Sequence, residues 1–179
     1  MKKIEQVTYE RVEEAWRAAD AAGGRNTLGL LQFGRAPYVS AWWLVQLEEN
    51  DLSRLQAIHS NKGEGQTNPW EELSGGSYSF AGIAAACLQD IAREPHIQEQ
   101  VDRILALAAT GDLHTIGFPV GLTKSIAGPH ERAIFLDGCN RLAALHVRRH
   151  LSDAAQLPQC FIGEGAAAEL FAHWAAGRI

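Results

Sequence analysis

The fold is decided by the stretch Ile134-Phe135-Leu136-Asp137-Gly138-Cys139-Asn140-Arg141-Leu142-Ala143-Ala144-Leu145. Ala133 to Leu136 is a short apolar run bounded by turn residues, which predicts a buried strand. The glycine-containing turn that follows predicts a tight connection, and Asn140 to about His150 has the apolar spacing of a helix. A strand that passes through a glycine turn directly into a helix is therefore the local unit from which the rest of the domain is built.

The start of this helix is the best candidate for a functional site. The first amides of a helix have no partners within the helix and carry the positive end of its dipole. Gly138 lets a ligand approach the backbone and Arg141 adds a guanidinium, so the turn suits an anion, most naturally phosphate. Asp137 could orient Arg141, hold a metal ion or act as a base. Alternatively, Asp137 is the helix N-cap and Arg141 its surface partner.

The sequence FLDGCNRLAALHV, residues 135–147, resembles the signature turn of the ParB/sulfiredoxin superfamily. The elements before and after it fit the same order, so that the resemblance covers roughly residues 97 to 175. It implies an α+β fold in which a small mixed sheet with flanking helices occupies residues 96–179. Residues 1–95 resemble no family and are interpreted as a mainly helical region, which could supply an acceptor pocket or an interface or be integral to the same domain.

The resemblance also implies that this turn holds a nucleotide phosphate. In that superfamily, partition proteins bind and hydrolyse CTP, sulfiredoxins use ATP to repair a sulfinate, and free-serine kinases phosphorylate a small hydroxy amino acid. The leading hypothesis is an enzyme that takes ATP, ADP or CTP with Mg²⁺ and either phosphorylates a small-molecule acceptor or hydrolyses the nucleotide. Its predicted site residues are Asp137 as base or Mg²⁺ ligand, with phosphate contacts from Gly138, Asn140, Arg141, Lys124 and Ser125.

Cys139 supports a second hypothesis, a sulfiredoxin-like or otherwise thiol-dependent enzyme. It stands where sulfiredoxins place their catalytic cysteine, although Asn140 replaces the neighbouring histidine and Asp137 replaces the first glycine. A helix N-terminus beside Arg141 should lower the pKa of the thiol and favour the thiolate nucleophile. The alternative is a small side chain that fits a crowded turn. A third hypothesis is a non-catalytic nucleotide sensor or protein-binding module.

Composition limits the class of protein. The chain has 179 residues, of which 46% are hydrophobic and 21% charged, and this composition is typical of a soluble globular protein. Its net charge of −5 disfavours a nucleic-acid partner, because binding phosphate backbones normally needs a basic surface. No apolar run reaches the roughly 18 residues of a membrane helix, and acidic Glu5 precedes any signal-like core. Three cysteines, an odd number, suit a reducing cytoplasm.

The N-terminal half has weaker patterns. Tyr9, Val12 and Trp16 are spaced as one helical face, and Gly23-Gly24 ends that helix. Leu28 to Phe33 is predicted to be a buried strand, and Ser40 to cap a helix that carries Trp42, Trp43, Leu44 and Leu47. Residues 60 to 78 are predicted to form a long loop. An alanine-rich helix follows, capped by Ser77 or Ser79 and running to about Arg93. Alanine-rich helices with tryptophans could also bury a homodimer interface.

The C-terminal half is read with sharper boundaries. Ile97, Val101 and Ile104 mark one helical face, and Gly111 ends that helix. The later predictions are a β-permissive segment from Phe118 to Ile126, a turn at Ala127 to His130, a strand at Gln159 to Ile162 and a last helix at Ala166 to Trp174. His146 and His150 are four residues apart on one helix face, which is compatible with metal binding, but the sequence shows no partner ligands nearby and no HExxH-like context. The alternative is a partly exposed helix end that stabilises its own C-terminal carbonyls.

Overall fold

The computed structural model describes residues 1–23, 39–58, 68–110, 117–128, 130–152 and 156–165. Strands and helices are mixed throughout this part of the chain. In chain order the elements are β1 (Lys2–Val7), α1 (Tyr9–Gly23), β2 (Ala41–Gln46), a 3₁₀ helix (Glu49–Arg54), β3 (Leu55–Ala57), α2 (Pro69–Ser74), α3 (Phe80–Cys87), α4 (Pro95–Thr110), β4 (Val120–Thr123), β5 (Ala133–Asp137), α5 (Cys139–Leu151) and β6 (Gln159–Glu164). None of the described helices is long and apolar enough to span a membrane.

Six strands form one mixed sheet in the order β1-β2-β6-β4-β5-β3. The pairs β6–β4 and β5–β3 are parallel, whereas β1–β2, β2–β6 and β4–β5 are antiparallel. The prediction of an α+β fold with a mixed sheet is therefore confirmed. Strands from residues 1–95 belong to the same sheet as those from 96–179, because β2 pairs with β6 and β3 pairs with β5.

Both faces of the sheet are buried. On one face, Val45, Phe135 and Ile162 pack with side chains of α2, α3, α4 and α5 in the larger core cluster. On the other face, the core contains Trp42, Leu122 and Phe161 together with Val12 and Trp16 of α1. Full burial of a large apolar side chain contributes about 1.5–3 kcal/mol, so these two layers supply most of the force that holds the sheet in place.

The helix predicted from Ser40 onward is wrong. Residues 41–46 form β2, which is followed by the 3₁₀ helix and by β3. Trp42 belongs to one core cluster and Trp43 packs against the other, which is the period-2 alternation of a strand. A strand that is buried on both faces gives a continuous apolar run, and such a run can also be read as a helix.

Two further elements were not predicted. Strand β1 lies at the edge of the sheet, and five of its six residues are exposed, so it has no apolar alternation to reveal it. Helix α2 lies inside the predicted loop over residues 60 to 78. Asn68 caps this helix by accepting a hydrogen bond from the amide of Trp70 at 3.0 Å, and Pro69 occupies its first turn.

The other predicted elements agree with the structure where it describes them. Helices α1, α4 and α5 and strands β4, β5 and β6 lie at their predicted places. Ser79 caps α3 by accepting from the amide of Gly82 at 3.2 Å, although α3 ends at Cys87 rather than near Arg93. The strand predicted at Leu28 to Phe33 and the helix predicted at Ala166 to Trp174 lie outside the described residues.

Candidate functional site

The turn between β5 and α5 has a helix start that no side chain caps. Gly138 is the N-cap residue and has a left-handed backbone, with φ 78° and ψ 11°. Its carbonyl accepts the first helical hydrogen bond, from the amide of Leu142 at 3.0 Å. No side chain makes a capping hydrogen bond to this helix, and its first turn has no acidic residue. The interpretation of Asp137 as the N-cap is therefore wrong, and no side chain competes with an anion for the amides at this helix start.

Gly138 is required by the packing of the chain against itself. A Cβ added there would lie 2.7 Å from the Cβ of Pro119 and 3.0 Å from its Cα. The residue also has a positive φ, which only glycine adopts without strain. The sequence suggested that the absence of a side chain at Gly138 leaves space for a ligand. In the structure, Pro119, directly before β4, occupies the space where a Cβ of residue 138 would lie.

Arg141 lies under the turn rather than on the surface. The residue is only 7% exposed. Its Nη2 donates to Oδ2 of Asp137 at 3.1 Å, and its Nη1 donates to the carbonyl of Gly117. The guanidinium thus joins the first turn of α5 to the end of β5 and to the segment before β4. The pair with Asp137 agrees with the expectation that Asp137 orients Arg141.

The thiol of Cys139 points into the core. Its Sγ donates to the carbonyl of Phe135 at 3.3 Å, and the residue belongs to the larger core cluster. Burial raises the pKa of the Cys139 thiol to about 12, and the nearby Arg141 guanidinium does not offset this. The prediction that the helix N-terminus lowers the pKa of Cys139 is wrong, because the loss of solvation outweighs the effects of the helix dipole and of the Arg141 guanidinium. This environment favours the neutral thiol and weakens the thiol-enzyme hypothesis.

Asn140 has a partner that sequence reasoning missed. Nε2 of Gln100, on α4, donates to Oδ1 of Asn140. Gln100 follows Ile97 by three residues and precedes buried Val101, so helical spacing places it at the edge of the buried face of α4. The position of Gln100 on α4 could be predicted from the sequence. The packing of α4 against α5, which brings Gln100 next to Asn140, could not.

Lys124 and Ser125 lie at the opposite end of the hairpin from the turn. Val120 pairs with Asp137, and Thr123 pairs with Ala133, so β4 runs away from the turn as it approaches Lys124. Four residues of strand correspond to about 13 Å. Ser125 Oγ lies 3.4 Å from Oε1 of Glu164 at the far end of β6. The structure therefore does not bring these two residues to the predicted phosphate site.

The turn does not form a metal site by itself. Among the described residues, no group of three or more His, Cys, Asp or Glu side chains could hold a metal ion. Asp137 is one carboxylate, and its Oδ2 already accepts from Arg141. Mg²⁺ is usually bound through one or two carboxylates together with substrate phosphates and waters, so the role of Asp137 as a Mg²⁺ ligand stays a prediction.

The two histidines of α5 do not act together. The ring of His146 stacks on Phe80, with ring centroids 6.2 Å apart, whereas His150 is exposed. Burial and, to a smaller extent, the nearby Arg149 cation together lower the pKa of His146 to about 4. His146 is therefore a neutral side chain in the layer between α3 and α5 at neutral pH.

No protein-family model, curated protein or solved structure matches this chain. The resemblance of residues 135–147 to the ParB/sulfiredoxin superfamily therefore stays a prediction from that motif.

Proposed function

We propose that this chain binds a nucleotide through its phosphates at the start of α5, and that it transfers a phosphoryl group to a small-molecule acceptor or hydrolyses the nucleotide. The observation that carries the proposal is the helix start at Gly138, which has no capping side chain and no acidic residue in its first turn. A phosphate is the common ligand of such a helix start. The ParB/sulfiredoxin-like motif supports a nucleotide as the phosphate donor.

Each residue of the turn has a role in this proposal. The backbone amides of Cys139 and Asn140 face the phosphate, and the Asn140 side chain is held beside them by Gln100. Arg141 is a positioning residue, because its guanidinium is taken up by Asp137 and Gly117. Catalysis by such a site consists mainly of positioning and electrostatic stabilisation.

Asp137 is the group to accept a proton from the attacking hydroxyl or water. Its side chain is 24% exposed, so a small acceptor can reach it, and Arg141 fixes its direction. Mg²⁺ enters this proposal as the counter-ion of the nucleotide, thus as part of the substrate. Lys124, Ser125 and the thiol of Cys139 have no part in it.

The test separates anion binding from folding by changing Asn140 to Asp. An aspartate keeps the oxygen that accepts from Gln100, and a negative charge in the first turn of a helix stabilises it by about 0.3–1 kcal/mol. The same charge repels phosphate. Thermal unfolding is measured with ATP, ADP, CTP, GTP and pyrophosphate, with and without Mg²⁺. A ligand at 100 times its Kd stabilises by about 2.7 kcal/mol, or about 5–10 °C for a chain of this size.

We expect one nucleotide to raise the Tm of the unchanged protein and to have no effect on Asn140→Asp. The matched control is Asn68→Asp, which adds the same charge at the start of α2 and keeps the cap there. The control should respond to the nucleotide as the unchanged protein does. An equal response in Asn140→Asp, or no response to any ligand in the unchanged protein, would contradict the proposal.

Turnover is measured separately as phosphate release and as transfer to small hydroxylated acceptors. Asp137→Asn keeps an oxygen for Arg141 and removes the base, so it should bind the nucleotide but lose activity. Binding without turnover in the unchanged protein would identify a nucleotide sensor instead of an enzyme.

A further inference from the structure

A cavity apart from the turn lies between the end of α2, the side of α3 and residues 89–93. Its volume is about 280 Å³, close to the lower end of the range of small-molecule sites. Gly82, Ala85 and Ala86 leave it open on the side of α3, because none of these residues extends beyond Cβ. No residue of the turn lines the cavity, so its ligand is independent of the proposed nucleotide site.

The apolar part of the lining is fixed before any ligand arrives. Leu73 is 5% exposed and belongs to the larger core cluster. The segment after α3 is held in place, because Nη2 of Arg93 donates to the carbonyls of Ala86 at 2.5 Å and Gln89 at 3.0 Å. From this segment Ile91 lines the cavity with apolar surface that a ligand can reach. A wall that is already ordered lowers the entropic cost of binding.

The lining also carries one charge of each sign, on Glu72 and Arg93, and neither charge is compensated. Among the described residues, no cation lies within 4 Å of the Glu72 carboxylate, and no carboxylate lies within 4 Å of the Arg93 guanidinium. The two groups are therefore also more than 4 Å from each other. Arg93 donates to three backbone carbonyls, which orient the guanidinium but leave its charge in place. Its other N–H groups have no acceptor in this part of the chain.

We propose that this cavity binds a small zwitterion, an α-amino acid with an aliphatic side chain. The ammonium group faces Glu72, and the carboxylate faces the N–H groups of Arg93 that have no acceptor. The aliphatic side chain packs against Leu73, Ala86 and Ile91. One molecule of this kind meets both charges of the lining, whereas a simple anion or cation meets one of them and an uncharged apolar molecule meets neither.

The experiment titrates L-leucine into the ¹⁵N-labelled, full-length protein and follows the backbone amide shifts by NMR, which detects weak binding. Two analogues each lack one charge: L-leucinamide has no carboxylate, and 4-methylpentanoate has no ammonium group. We expect saturable shifts that centre on residues 72–93 with leucine. Each analogue should bind about fivefold more weakly, because it loses one charged contact at a partly exposed site.

Two pairs of variants locate the site. Ala85→Leu fills the cavity from α3 and should abolish the shifts; its matched control is Ala81→Leu, because Ala81 is exposed on the same helix and does not line the cavity. Leucine is almost as good a helix former as alanine, so both variants should fold. Glu72→Gln should weaken leucine binding about fivefold and leave 4-methylpentanoate unaffected. Glu71→Gln, a change at the neighbouring residue outside the lining, should bind leucine as the unchanged protein does.

Several outcomes would overturn the proposal. One is the absence of saturable shifts up to the solubility limit of leucine, and another is a set of shifts that centre on other residues. An analogue that binds as tightly as leucine would show that a zwitterion is not required. Equal loss of binding in Ala85→Leu and Ala81→Leu would show that the effect does not come from the cavity.

Discussion

Replacing Gly138 by Ala tests how closely the turn is packed against the rest of the chain. Two separate costs are expected at this position. The left-handed backbone, with φ 78°, costs a residue with a Cβ about 1–2 kcal/mol. The new Cβ would also lie 2.7 Å from the Cβ of Pro119, closer than packed carbon atoms approach, and relieving such overpacking costs about 1–3 kcal/mol.

Gly76 allows the two costs to be separated. Its φ of 81° is nearly the same, but a Cβ added there meets nothing within 4 Å. Gly76→Ala should therefore lose only the conformational part, about 1–2 kcal/mol, whereas Gly138→Ala should lose about 2–5 kcal/mol. The free energies of unfolding are measured by urea denaturation, with the slopes of the transitions checked for equality.

The test compares the losses in free energy of unfolding caused by Gly138→Ala and by Gly76→Ala. A loss at Gly138 that exceeds the loss at Gly76 by at least about 1 kcal/mol would confirm that Pro119 fills the space beside the turn. Equal losses would refute the reasoning, since they would mean that the segment before β4 can move away without cost. The space beside Gly138 would then be open to a ligand, as the sequence alone suggested.

Two further predictions concern buried polar groups. The pKa of His146 is about 4 in the folded protein and about 6.5 in the unfolded chain, so the unfolded chain binds the proton first as the pH falls and the folded protein loses stability. His146→Phe should remove up to about 3 kcal/mol of the stability that is lost between pH 6.5 and 4, measured by urea unfolding at a series of pH values. Arg54 donates to Asp51 at 2.8 Å and to the carbonyl of Gly128 at 2.6 Å. Arg54→Met should leave Asp51 buried without that partner and lower the free energy of unfolding by about 3–5 kcal/mol, whereas a loss below about 1 kcal/mol would show that the other donors to Asp51 suffice.

Sequence patterns were most informative where local signals decide the structure. Helix α4 has a single buried face, and the spacing of its apolar residues alone located it. Helix α5 is buried on most sides, and the glycine turn before it located its start. Ser79 is a preferred N-cap residue before an alanine-rich run, and it caps α3 in the structure. Such elements are predictable because the signal and the structure lie within a few residues of each other.

Elements that depend on distant partners were not predictable in this way. Strand β2 was read as a helix because both of its faces are buried, one in the core cluster that includes α1 and the other in the cluster that includes α2 to α5. It reaches this position by pairing with β1 and β6, and β6 is more than 100 residues away in the chain. Strand β1 gave no signal because its exposed residues need no apolar pattern. A single sequence holds no record of which segments pair, so these elements become visible only in the folded sheet.

The candidate site shows the same limit at the scale of single side chains. The residue pattern predicted the order strand, glycine turn, helix, and the structure has this order. The pattern could not predict which way each side chain points. Cys139 faces the core and Arg141 lies under the turn, so the two groups with the most obvious chemistry are turned away from solvent.

What stays at the surface of the turn is chemically simpler. Asp137 is partly exposed, Asn140 is held by Gln100, and the first amides of α5 have no side-chain cap. In the proposed function the anion is bound through the backbone, and such contacts do not require particular types of side chain around them. Asn140→Asp is therefore a sharper test of the proposed function than Arg141→Ala, because loss of Arg141 would disturb the packing of the turn whether or not a phosphate binds there.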